Sequence, residues 1–193
     1  MDLDTVTELI QRGRLEDAYS LCLRLGEAGS RAAQLRLGWI HQTGKGVQKD
    51  LDEAKRWYSR AIHSESAQAE FYIASVYWEN RDVQQTIEWL EQSAAKAYPP
   101  ALFELGRMYK AGYGIATDAH KGLAYLERAA GRGHLFARRE IAREMLKGRH
   151  GWQKVPLGFL EMLNISWTGF LVARQDLYDD RTLTLRRHMK RDI

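Results

Sequence analysis

The sequence has one cysteine, three prolines and no long apolar run, and each scarcity removes a class of protein. A single thiol, Cys22, cannot close an intramolecular disulfide, so no disulfide framework holds this fold. Lying between Leu21 and Leu23, it reads as a buried, inert thiol, which fits a reducing compartment. So few prolines, without any low-complexity tract, argue against a long disordered linker. The N-terminus, Met1-Asp2-Leu3-Asp4, lacks the apolar core of a secretory signal. The most apolar later stretch, 159–173, is broken by Glu161 and Asn164 and is too short to span a bilayer. A soluble, cytoplasmic chain is the expectation.

Chemical motifs are equally scarce. The six histidines (His41, His63, His120, His134, His150 and His188) form no pair at the three- or four-residue spacing that suits a metal. Gly44-Lys45-Gly46 and Gly112-Tyr113-Gly114 lack the strand, the glycine spacing and the following Lys-Ser/Thr of a phosphate loop. No serine or cysteine stands in a motif with a base. Asp176, Asp179 and Asp180 read as a solvated helix terminus. The sequence therefore predicts no catalytic residue, no metal and no cofactor.

What is present is repetition. Residues 101–129 read as a helix, a glycine-bracketed turn and a second helix, and the pattern recurs at 33–61. Leu105-Gly106 matches Leu37-Gly38, Gly112 and Gly114 match Gly44 and Gly46, and Asp118 matches Asp50. A helix pair that returns along a chain marks an all-α, α/α superhelical solenoid. About five pairs are expected: 3–12 with 15–27, 32–42 with 51–64, 67–79 with 83–97, one opening at Pro100, and one running from 135 to 147 and resuming at 156. Asp50 with Glu53 and Asp82 with Gln85 predict capping boxes. Asn80 is expected to take the left-handed conformation that ends a helix. Trp57, Trp89 and Tyr125 occupy matched positions on second helices and read as core. With 45% hydrophobic residues, the 193 residues suit one domain. Residues 1–30 would be a degenerate first pair, 32–152 the repeats and 153–193 capping helices, with a final basic helix near 177–191.

These residues resemble the Sel-one-like repeat family, a relative of the tetratricopeptide repeat. The motif stands most fully at Ala101, Leu105, Gly106, Tyr109, Gly112, Gly114, Ile115, Asp118, Tyr125 and Ala129. The stretch 33–61 follows it with His41 in place of the tyrosine, and with Ala54, Trp57 and Ala61 conforming. The resemblance implies a superhelix that binds other proteins as an adaptor or assembly scaffold. A cysteine-rich branch of the family is linked to penicillin binding. The paired cysteines that define that branch are lacking here, so the activity is not carried over.

In such a superhelix the first helix of each pair lines a concave groove. If Leu37, Ile73, Leu105 and Ile141 pack inward, helical spacing turns another face of each first helix to the groove. That face carries Leu35, Trp39 and Gln42; then Phe71, Ser75 and Trp78; then Phe103, Arg107 and Lys110; then Arg139, Arg143 and Leu146. The aromatics serve equally well as packing residues. A groove aromatic at one end and basic at the other suits an acidic or amphipathic peptide or helix of a protein partner.

Charge is unevenly spread. Up to residue 130 there are 16 Lys+Arg against 18 Asp+Glu, and beyond it 13 against 7. A basic last third is either a solvated face or the seat of an alternative function, binding of nucleic acid or another anionic surface. Arg174, Arg181, Arg186, Arg187, Lys190 and Arg191 would carry it, although no aromatic platform interleaves them. Trp167, Phe170 and Leu171 either cap the stack or form a homodimer patch.

Overall fold

The computed structural model describes residues 3–62, 67–148 and 152–175. The expected basic helix at 177–191 lies outside them, and so do the side chains of Trp167, Phe170 and Leu171. Ten α-helices follow one another, and no strand occurs among the described residues. They are α1 (Leu3–Gln11), α2 (Leu15–Glu27), α3 (Arg31–Thr43), α4 (Leu51–Arg60) and α5 (Ala67–Glu79). Then come α6 (Val83–Ala95), α7 (Pro99–Ala111), α8 (Ala119–Gly131), α9 (Leu135–Leu146) and α10 (Val155–Gln175). The fold class is the all-α helical-repeat solenoid that the repetition predicts. One end differs from expectation: α4 closes at Arg60 rather than near residue 64.

The chain divides into two compact units, 1–89 and 90–193, with the boundary inside α6. In a repeat stack contacts run mainly between neighbours, so such a division interrupts no central core.

In the first unit α1 to α5 pack each on the next. Val6, Ala18, Leu21, Cys22, Ala33, Leu37 and Trp57 form its buried cluster. Above it Tyr58 stacks on Tyr72, with centroids 5.2 Å apart and planes 16° from parallel. Burial pushes the Cys22 thiol from 9.0 up to about 11, which keeps it protonated and unreactive at neutral pH.

In the second unit α7, α8, α9 and α10 pack in succession. Leu102, Leu105, Leu126, Ala129, Leu135 and Ala142 are its buried centre. Here α7 and α8 cross with backbone nearly touching. A Cβ on Gly106 would meet the Gly122 carbonyl at 2.9 Å, and one on Gly122 would meet the Gly106 carbonyl at 2.8 Å. Glycine stands at this crossing because any side chain would push the hairpin apart.

The helix starts show how the repeat is written locally. Asp50, Asp82 and Asp118 each accept the N–H three residues on, at 2.9, 3.1 and 2.9 Å. An aspartate cap of this kind is worth about 1 kcal/mol. The return half of the expected capping boxes is not made. The cap's own N–H donates instead to a carbonyl of the preceding helix: Asp50 to His41, Asp82 to Tyr77 and Asp118 to Tyr109, each at 2.9 Å. Glu53 and Gln85 turn to Arg56 and Glu88. Between α3 and α4, Gly44 takes a φ of +67° as the helix C-cap, as Gly112 does after α7 at +68°. In the glycine-less third pair the left-handed residue is Arg81, at +61°, not the expected Asn80.

Candidate docking surfaces

The first-helix face was expected to be open, and the structure divides its residues into two groups. Leu37, Ile73 and Leu105 are buried as predicted, whereas Ile141 is half-buried. Phe71, Phe103, Gln42 and Ser75 are also buried, at 0, 5, 2 and 2% exposure, and so do not line a groove. The reason is that neighbouring helices enclose the first turns of α5 and α7, which hold the two phenylalanines. Ala69 to Val76 is buried without a break, and so is Pro100 to Gly106. Toward their C-terminal ends, at Trp78, Arg107 and Lys110, the same helices reach solvent. Phe103 lies 4.5 Å from the His134 ring, centroid to centroid, and His134 is itself buried, its Nδ1 accepting the Ala137 N–H.

Gln42 and Ser75 are consumed by each other. Tyr58 Oη donates to Gln42 Oε1 at 2.9 Å, and Gln42 Nε2 donates to Ser75 Oγ at 3.1 Å and Glu79 Oε2 at 3.2 Å. Ser75 Oγ donates to the Tyr72 carbonyl at 2.6 Å, and Lys49 pairs with the Glu79 carboxylate. Satisfied polar networks of this kind fix one packing arrangement.

Eight predicted positions remain accessible, among them Leu35 and Leu146 at the two ends. In the first unit Trp39 and Trp78 are half-buried, and Trp39 carries Arg36 and Lys45 over its ring at 5.9 and 5.3 Å. In the second unit Arg107, Lys110 and Arg139 are half-buried and Arg143 is exposed. Arg107 pairs with Glu104 at 3.0 Å, Lys110 with Glu144 at 3.4 Å and Arg143 with Glu140 at 2.9 Å. Arg139 is different: its guanidinium lies 5.4 Å from the Phe136 centroid, and its buried Nε finds no hydrogen-bond partner among the described residues.

Second helices supply a surface that the sequence did not reveal. Trp57 is buried core as expected, but Trp89 and Tyr125 are only half-buried. Trp89 lines an open recess whose rim includes Lys55, Arg56 and Arg60. The available signal was three cations on one short helix, α4, facing an aromatic of the next pair. Among the described residues no group of histidine, cysteine and carboxylates is placed to hold a metal. No described helix is long and apolar enough to cross a membrane.

Tandem helical hairpins with cap aspartates and glycine turns at matched positions define a solenoid repeat protein. Comparison with family models places Sel1 repeats at residues 31–65, 68–98 and 99–134, and the chain belongs to that family. These stretches hold the pairs α3–α4, α5–α6 and α7–α8. The crystal structure of a Sel1 repeat protein from Oxalobacter formigenes superposes with a TM-score of 0.71 at 22% identity, covering 87% of this chain and 70% of that one. A second similar structure is c5321, a protective antigen of uropathogenic Escherichia coli strains displaying an SLR fold. Its TM-score is 0.59 at 27% identity, over 67% of this chain and 29% of that one. Chitin synthase regulatory factor 3 of Schizosaccharomyces pombe is 26% identical over 73% of this chain, which spans 16% of that relative. Sel1 repeats in general form non-enzymatic scaffolds for protein–protein interaction.

Proposed function

We propose that this chain is a non-catalytic adaptor or assembly scaffold whose first helices receive an acidic or amphipathic peptide or helix of a protein partner. Arg139 carries the reading. It stands half-buried on a first helix beside exposed Arg143, and among the described residues its guanidinium meets no carboxylate. Arginine grips a carboxylate with two parallel bonds, and a guanidinium without an internal ion pair gives up none when it does so. Trp39 and Trp78 offer the first unit's counterpart, as aromatic anchors. The contact set is thus smaller than the sequence implied, since Phe71, Phe103, Gln42 and Ser75 are core. A single repeat array in the cytoplasm goes with this reading, supported by the lone buried thiol Cys22.

The test compares wild type with an Arg139→Gln/Arg143→Glu variant in affinity purification followed by mass spectrometry. Helical circular dichroism should be unchanged, and the co-purifying partners should be lost from the variant. Equal recovery of the same partners would remove the first-helix surface from consideration.

One observation favours a second occupant for α10, another copy of this chain. Leu157, Phe159, Leu160 and Leu163 are exposed by 56–60% on that helix. Sedimentation showing a monomer at high concentration would dispose of the homodimer.

A further inference from the structure

The recess beside α4 lies within the first unit, where α4, α5 and α6 meet, and its volume is about 600 Å³. Ile73, from α5, is 1% exposed and supplies an apolar floor. Tyr77 from α5 and Trp89 from α6 are half-buried walls. The remaining wall is cationic. Lys55 on α4 holds its ammonium 5.5 Å from the Tyr77 ring centroid, and Arg56 and Arg60 stand exposed on the rim.

The charge on that rim is open to exchange. Lys55 and Arg56 pair with Asp52 and Glu53 of their own helix, at 3.2 and 3.0 Å, through solvent-exposed contacts of the weak kind. Arg60 lies over the Trp57 ring at 4.3 Å and meets no carboxylate among the described residues. A guanidinium held by an aromatic face keeps its edge for a planar anion.

We propose that this recess docks an acidic segment of a protein partner. One aromatic or aliphatic side chain enters between Tyr77 and Trp89 and rests on Ile73. A carboxylate next to it in the segment is gripped by Arg60, with Lys55 and Arg56 supplying the surrounding positive field. The volume decides against a small inorganic anion, because it takes a bulky side chain with its backbone and belongs to the usual range of ligand pockets. The apolar floor argues against a nucleic-acid backbone, which follows a continuous cationic track rather than a single cationic wall. Aromatic walls beside an arginine are the composition of an interface hot spot. This surface belongs to α4, α5 and α6 and shares no residue with the first-helix face proposed above, so either can fail without the other.

The probe is the peptide acetyl-Glu-Phe-Asp-Glu-amide, titrated into the ¹⁵N-labelled full chain. Saturable shifts are expected at the Trp89 indole N–H, the amides of residues 55–60 and that of Tyr77. Arg60→Glu should weaken the peptide at least ~10-fold while Arg60→Lys retains most of the affinity. The neutral peptide acetyl-Gln-Phe-Asn-Gln-amide should bind as weakly as the reversal variant, and added salt should weaken the acidic one. No saturable shift up to about 5 mM peptide, an affinity untouched by Arg60→Glu, or shifts confined to Trp39 and Trp78 would each overturn the proposal. Tighter binding of a short oligothymidylate to the same amides would overturn it in favour of nucleic acid.

Discussion

The two units carry the same niche and fill it with opposite chemistry. In the second unit it lies where α8, α9 and α10 meet, with a volume of about 390 Å³. Ile141 stands where Ile73 stands in the first unit, Met145 where Tyr77 does, and Glu161 in the place of Trp89. The lining is otherwise aliphatic, through Leu157 and Leu160, and Arg138 bonds Glu161 across it at 2.5 Å. In the α7–α8 pair the same registers hold Tyr109 and Tyr125, stacked 5.7 Å apart and 9° from parallel. Lys121 donates to the Tyr109 hydroxyl there, a bond that raises its pKa. Cap aspartates keep one role in all three repeats and glycine turns in two of them, whereas niche side chains change. Of these two open recesses, the first unit's combines exposed cations with aromatic walls, whereas the second unit's is aliphatic with a paired arginine.

The same contrast appears where one first helix bridges to the next. Gln42 and Lys110 hold matched positions on α3 and α7. Gln42 sits in a buried network of neutral and charged groups, whereas Lys110 makes a half-buried ion pair with Glu144. Gln42→Leu should therefore have the largest effect, about 2–3 kcal/mol lost in urea unfolding, because the Tyr58 and Ser75 hydroxyls lose a shared buried partner. Lys110→Ala should cost only about 1 kcal/mol, part of it from leaving Glu144 less well paired. Equal losses for the two variants would break the comparison, since they would mean that burial of the bridge does not matter.

Much of this architecture was legible in the residues. Helix ends could be placed from Asp50, Asp82, Asp118, Gly44 and Gly112, because caps and left-handed turns are local and demand particular side chains. Their reciprocal bonds were not legible, since the Asp50 N–H finds the His41 carbonyl only once both helices have packed. The burial of the candidate face was legible only in part. Spacing put Phe71 and Phe103 on the same face as Trp39, but it cannot say how many neighbours surround that face. The first turns of α5 and α7, which hold Phe71 and Phe103, are enclosed, whereas Trp39 on α3 and Arg139 on α9 are only half-buried. The α4 recess stayed hidden for a related reason: its walls come from three helices, and no single helix shows the pattern.

The smallest expected effect concerns the turns that lack glycine, and it has the opposite sign. Arg81 in the first unit and Ala97 in the second hold φ values of +61° and +57°, the region filled by glycine at Gly133, which matches Ala97 one repeat later. A side chain in that conformation is strained by roughly 1–2 kcal/mol. Introducing glycine also loosens the unfolded chain, which opposes the gain by about 0.4–1 kcal/mol. The strain relieved is the larger of the two, so Ala97→Gly should raise stability by about 0.5 kcal/mol, and Arg81→Gly should do likewise because its side chain is exposed. Thermal unfolding checks both. A lower Tm for Ala97→Gly alone would mean that its methyl group packs usefully in the second unit, and the two turns would then differ in kind as the two niches do.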